Sequence, residues 1–126
     1  MKNKTWIAFA NRKRCHHAEA FKELGYISWT MHRTHFNIGD IIYFFMSDER
    51  CIRFKGKVVK QNCNREDSSY WIEQAPNDKT YRIQLIEEYH GTELQEKHLF
   101  SPGFKGYLRH PLCNNEELLS YITSKF

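Results

Sequence analysis

Residues 41 to 60 constrain the fold more than any other stretch. Ile41-Ile42-Tyr43-Phe44-Phe45-Met46-Ser47 is dense in β-branched and aromatic side chains, the composition of a buried strand. Asp48-Glu49-Arg50 makes a tight connection, and Cys51 to Lys60 then alternates. Ile52, Phe54, Gly56 and Val58 fall on one side, and Arg53, Lys55, Lys57 and Val59 on the other. Alternation with period 2 belongs to a strand with one face packed and one face wet. The two runs predict a long antiparallel hairpin, apolar on one face and basic on the other.

The flanking segments supply the rest of a sheet. Thr5 to Ala10 is a short apolar run that reads as a buried strand, broken by the basic turn Asn11-Arg12-Lys13-Arg14. From His17 to Leu24 the apolar residues Ala20, Phe21 and Leu24 share one helix face, and Gly25 stands where a C-cap glycine belongs. Tyr26 to Trp29 is a second extended piece, Asn37-Ile38-Gly39-Asp40 a turn, and Tyr81 to Ile86 a further alternating strand. Gln61 to Lys79 is polar and irregular, with Trp71 and Ile72 as anchors. Glu93 to Leu99 predicts a short helix. Asn114, with Glu117 three residues on, predicts the capped start of a last helix whose apolar face is Leu118, Leu119, Ile122 and Phe126.

With 126 residues and no repeat or linker, the chain reads as one domain over residues 1–126. The expected class is α+β, a small and mostly antiparallel β-barrel of about five or six strands with two or three flanking helices. The four cysteines form no CxxC pair, no secretory leader precedes the first strand, and the longest apolar run is too short to span a bilayer. These features predict a reduced cytoplasmic protein with free thiols.

Charge narrows the function. The net charge is only +4, but thirteen of the nineteen Lys and Arg fall in the first 65 residues, against five of the fifteen Asp and Glu. Arg12, Lys13 and Arg14 follow the first strand, and Lys55 and Lys57 share a strand face. A basic surface close to flat rings suits nucleic acid; the same lysines also suit the wet side of an ordinary hairpin. Other chemistry is poorly served. The histidines, including His32-x-x-His35, show no paired knuckle spacing for zinc. No nucleophile elbow or Gly-rich phosphate loop appears, and Glu87-Glu88 and Glu116-Glu117 are neighbours that cannot both point one way in a regular element. The expectation is a binding protein rather than an enzyme, with no cofactor and no metal.

The order of segments resembles the EVE domain, a branch of the PUA-like superfamily. The resemblance runs through the strand bearing Trp6, the first helix, Gly25-Tyr26-Ile27-Ser28-Trp29 and Gly39-Asp40-Ile41-Ile42-Tyr43-Phe44-Phe45-Met46-Ser47. It continues through Phe54 to Val59, Tyr81 to Ile86, Tyr107-Leu108-Arg109 and the closing helix, nearly the whole chain. The Gly-Asp-hydrophobic-Tyr-Phe strand ending in Ser is its most telling piece. The resemblance implies a small distorted barrel that holds one flipped, modified base in an aromatic pocket, a task shared with the related YTH and SRA domains. A base inside a duplex must be turned out before all its edges can be read.

Carried over residue by residue, the resemblance implies Trp29 as the pocket ring with Ser28 beside it, Ser47 as a small polar residue near the pocket, and Trp6 as floor. Arg109 falls near the mouth. The family commonly carries a Trp-Asp-Gly type segment followed by Arg-Asn; here Trp29 is followed by Thr30-Met31-His32-Arg33. Arg33 then stands in for the basic residue and His32 for one polar contact, and the altered polar set leaves the identity of the base open. The expected ligand is DNA bearing methylated cytosine or adenine, in a stand-alone reader or an excised N-terminal reading domain. A nuclease or NTPase of a modification-dependent restriction system is the expected partner. RNA binding in the manner of PUA or ASCH proteins is the alternative, and hydrolysis of a modified nucleoside a third reading.

Overall fold

The computed structural model describes residues 5–10, 15–31, 36–46, 48–66, 68–72, 79–95, 98 and 116–126. The elements are β1 (Thr5–Ala10), α1 (His17–Leu24), β2 (Tyr26–Thr30), β3 (Ile41–Met46), β4 (Cys51–Cys63), β5 (Thr80–Glu88) and α2 (Glu116–Thr123), with a 3-10 turn at Ser68–Tyr70. The strands form one curled, half-barrel sheet in the order β1-β3-β4-β5-β2. The class is α+β, as expected.

Three of the four pairings are antiparallel, and β1 against β3 is parallel, with Thr5 beside Ile41 and Ala10 beside Met46. The sheet is therefore mixed. Parallel neighbours need a crossover rather than a hairpin, and here α1 and β2 lie in the connection. Among the described residues β1 and β2 end the strand order and do not pair with each other, so the curl is not closed by a ladder.

α1 has the bounds its periodicity predicts. It stops at Gly25, whose φ of 79° is left-handed and whose N–H donates to the Phe21 carbonyl at 2.9 Å. The Gly25 carbonyl in turn accepts from Leu85 N–H at 2.9 Å, which fastens the helix end to β5. Glu93 to Gln95, expected to begin a helix, instead makes a turn that bridges to Cys51. The predicted cap at Asn114 lies outside the described residues.

Side chains on the two faces of the sheet form separate cores. On the inner face Phe44, Phe54, Ile27 and Ile83 pack beneath Phe21 of α1, whose ring lies 4.9 Å from Phe54 and 5.3 Å from Phe44. On the outer face Ile7, Tyr43, Phe45 and Ile52 pack with Leu94 and with Leu118 and Ile122 of α2. Burying each of these large side chains is worth about 1.5–3 kcal/mol. Lys125 and Tyr121 pin α2: Lys125 Nζ lies 2.5 Å from the Glu93 carboxylate, and Tyr121 donates to the Glu93 carbonyl at 2.6 Å.

β4 is where simple alternation fails, and the failures shape the sheet. Phe44 faces Phe54, but Phe45 faces Ile52, so Arg53 is an extra residue. That bulge moves Ile52 from the side predicted for it, with Phe54, to the opposite core. A second extra residue, Val59, follows Val58 opposite Ile83 and precedes Lys60 opposite Arg82. A third shift lies between Lys60 and Cys63, where Asn62 has a φ of 56°. On β5 the extra residue is Ile86, between Leu85 and Glu87. Each bulge bends its strand and raises the local twist, and together they curl the sheet over α1.

Gly56 sits at the bend because nothing larger fits. A Cβ there would stand 2.5 Å from Ile83 Cγ2, 3.2 Å from Phe44 Cε2 and 3.3 Å from the Gln84 carbonyl oxygen. Gly56→Ala is expected to cost about 1–3 kcal/mol by overpacking, read as a lower urea midpoint with an unchanged slope. An unaltered midpoint would show that this part of the inner core yields to an added methyl group.

Candidate functional site

The candidate residues sort by sheet face, and the sorting begins at β2. This edge strand pairs with β5 without a single irregularity, from Tyr26 opposite Gln84 to Thr30 opposite Thr80. Neighbouring residues on such a strand point to opposite faces. Trp29 is half-buried on the inner face, its ring 5.3 Å from Phe44 in an edge-on arrangement and 5.5 Å from His17 of α1. A ring held on its edge and partly open keeps a face for stacking. Ser28 points the other way and is only 3% exposed. Its hydroxyl accepts from Glu66 N–H at 3.0 Å, and its carbonyl accepts from Arg65 Nη1 at 2.9 Å. The two residues expected side by side in one pocket are thus separated by the strand itself.

Trp6 belongs to the core. It is 8% exposed, its ring is tilted against Phe36 at 5.1 Å, and its Nε1 donates to Asp40 Oδ2 at 2.7 Å. The same carboxylate oxygen accepts from Asn37 N–H at 2.9 Å. Gly39, with a φ of 97°, donates its N–H to the Val58 carbonyl at 2.7 Å, and Val58 N–H donates to the Asp40 carbonyl at 3.0 Å. The Gly39-Asp40 pair is thereby a turn that ties β4 to the start of β3 and fixes Trp6, rather than a surface for a ligand.

The outer face of β4 and β5 carries the charge. Lys55 and Lys57 stand opposite Tyr43 and Ile41, on the outer side as the alternation predicts. Strict alternation would turn Lys60 inward beside Val58; the extra Val59 keeps it outside, opposite Arg82. Lys57 and Lys60 are exposed, and among the described residues none of these three lysines makes an ion pair. Arg53, counted on the basic face, is occupied: it pairs with Glu49 and lies 3.9 Å from Glu88.

Beside the lysines lies a cluster that sequence reasoning did not single out. The Arg82 guanidinium stacks on Tyr26 at 4.3 Å and pairs with Glu66, which also accepts from the Tyr26 hydroxyl at 3.0 Å. The hydrogen bond from Arg82, aided by that from Tyr26, holds the Glu66 carboxyl below the ordinary carboxylate range. Arg65 stacks on Trp71 at 4.9 Å. Trp71 bridges to Cys15, and the Tyr70 carbonyl accepts from His16 N–H at 2.8 Å. Residues 64–72 therefore form a strap from the end of β4 across β2 to the start of α1. The alternation of Tyr81 to Ile86 did place Arg82 on a polar face, but neither Glu66 nor the strap has a periodic signal.

His32, Arg33, Ser47, Arg12, Lys13, Arg14 and Arg109 lie outside the described residues. Among the described residues no three His, Cys, Asp or Glu side chains gather as a metal site, and Cys15, Cys51 and Cys63 are free thiols. No helix among them is long and apolar enough to cross a membrane.

No family model and no curated protein matches the chain. Its fold is similar to that of protein Atu2648 from Agrobacterium tumefaciens, known from an X-ray crystal structure. The two superpose with a TM-score of 0.61 at 17% identity, over 97% of this chain and 92% of that one. At that identity the likeness carries the fold and not the residues of a site.

Removing the Asp40 carboxylate strands two N–H donors, one of them on the buried Trp6 ring, at about 1–3 kcal/mol for each group left unmet. Asp40→Ala is therefore expected to lower the melting temperature sharply, and to cost less in a Trp6→Phe background, where one donor is already gone. Strictly additive losses in that double-mutant cycle would exclude the indole–carboxylate bond as the cause.

Proposed function

We propose that the chain is a nucleic-acid-binding module of the PUA-like kind, related in manner to the EVE domain, that stacks one turned-out base on Trp29. The observation that carries this reading is the row of Lys55, Lys57 and Lys60 without counter-charge on the outer face of β4. Side chains two apart on a strand are separated by about 6.6 Å, close to the separation of consecutive phosphates along one nucleic-acid strand. Lysines so placed release counterions from a phosphate backbone and give salt-dependent, sequence-independent affinity.

Trp29 supplies the other half of the proposal. An open tryptophan face stacks on any base, at about 1–3 kcal/mol. Because Trp29 faces inward and the lysines outward, a base leaving a strand on the outer face reaches Trp29 by passing round the β2 edge. A 5-substituted cytosine or N6-methyladenine in DNA is the proposed ligand. The reading contains no catalytic step; in a modification-dependent restriction system, cleavage falls to a partner nuclease or NTPase.

The test is fluorescence anisotropy at fixed moderate salt with matched duplexes differing in one central base: unmodified cytosine, 5-methylcytosine, 5-hydroxymethylcytosine or N6-methyladenine. An RNA competitor runs in parallel. One modified duplex is expected to bind best. Replacing Lys55 and Lys57 together with Ala is expected to weaken all duplexes and to flatten the salt slope by roughly 2. Trp29→Ala is expected to abolish discrimination while leaving the salt-dependent component. Full affinity in the double lysine variant rules out the phosphate row, and equal weak binding to every duplex with ready displacement by RNA transfers the ligand to RNA.

A further inference from the structure

We infer that Lys60, Arg82 and Tyr26 form an anion-binding subsite, filled in the free chain by the carboxylate of Glu66 and open to a phosphate group that displaces it. That the phosphate belongs to a nucleic acid rests on the reading above; the subsite itself is argued from geometry.

The register sets two cations against each other. Lys60 and Arg82 are direct partners across β4 and β5, and like charges directly opposite on antiparallel strands destabilise the pair. Regular alternation would have avoided the clash by sending Lys60 inward; the bulge at Val59 creates it. A site built this way is stable only with an anion in it. Glu66 provides one, pairing with Arg82 through Oε1 and accepting from the Tyr26 hydroxyl through Oε2.

The recognition is the kind a phosphate also receives. Stacking on the Tyr26 ring at 4.3 Å holds the Arg82 guanidinium in a fixed plane, with its donors along one edge and the tyrosine hydroxyl beside them. Planar guanidinium donors suit carboxylate and phosphate alike. The carboxylate leaves the guanidinium partly unsatisfied: Arg82 Nε has no hydrogen-bond acceptor among the described residues. A phosphate brings more oxygens and more charge to the same donors.

The occupant is also built to leave. The Glu66 main chain is held by its own N–H on the Ser28 hydroxyl and by Arg65 on the Ser28 carbonyl, with Arg65 stacked on Trp71. Rotation of one exposed side chain therefore clears the subsite while the strap stays in place. The exposed Glu66–Arg82 pair is a weak contact in water, so a ligand already held by Lys55 and Lys57 displaces it easily. Glu66 thus lowers the affinity of the face for stray anions without blocking it.

The experiment is a titration of the whole chain with inorganic phosphate and pyrophosphate, following arginine Nε–H and backbone amide signals by NMR. Glu66→Gln is expected to bind pyrophosphate several-fold more tightly than the natural chain, with shifts centred on Arg82 and Lys60. Tyr26→Phe keeps the stack and removes only the hydroxyl; in the Glu66→Gln background it is expected to reverse part of the gain. Arg82→Ala in that background is expected to abolish it. Glu66→Gln should also tighten oligonucleotide binding and steepen its salt slope by roughly 1. If Glu66→Gln binds pyrophosphate no better than the natural chain, the subsite is wrong, whatever the Lys55 and Lys57 variant does. If it gains pyrophosphate affinity while no oligonucleotide binds, the subsite stands and the nucleic-acid reading falls.

Discussion

The structure depends on β4 being too irregular to stay flat. Three extra residues along its length, Arg53, Val59 and one between Gln61 and Asn62, bend it around the inner core, and β5 follows with its own extra residue at Ile86. A flat strand of this length would present one apolar row and leave α1 and α2 competing for it. The bulge at Arg53 divides that row, so that Phe54 and Val58 face α1 and Ile52 faces α2. Gly56 then lets Ile83 and Phe44 close over the bend. Curl, two-sided burial and the outward row of lysines all come from the same local departures from period 2.

This accounts for what was legible in the residues and what was not. The strand of Ile41 to Met46, the helix of His17 to Leu24 and the outward direction of Lys55 and Lys57 follow from periodicity, because burial on one face leaves a pattern in composition. Bulges leave none. Val59 and Arg53 look like any other strand residues, so the switch of Ile52 to the outer core and the outward turn of Lys60 are visible only in the register. The parallel pairing of β1 with β3 is equally silent in sequence, since a buried apolar strand reads alike in either direction.

The candidate site was legible to the same degree. Trp29 is partly open and held by its neighbours, as an aromatic platform requires. Ser28 was grouped with it because the two are adjacent, and adjacency on a strand means opposite faces. Trp6 and Gly39-Asp40, each suggestive when read alone, turn out to be one hydrogen-bonded unit of the core. The cluster of Arg82, Tyr26 and Glu66 escaped notice because its members come from three separate segments and meet only once the strap crosses β2.

The parallel partnership of β1 also sets an order of events during synthesis. β1 leaves the ribosome first but has no ladder partner until β3, ending at Met46, has emerged. Through that interval a strand with apolar side chains on both faces, Trp6 and Ala8 on one and Ile7 on the other, waits unpaired while α1 and β2 appear. Pairing across so long a connection is slow to close, and exposed apolar strands invite association between chains. Growing chains are thus most vulnerable over their first 46 residues, and fast helix formation in α1, which brings Phe21 near the growing sheet, shortens the exposure.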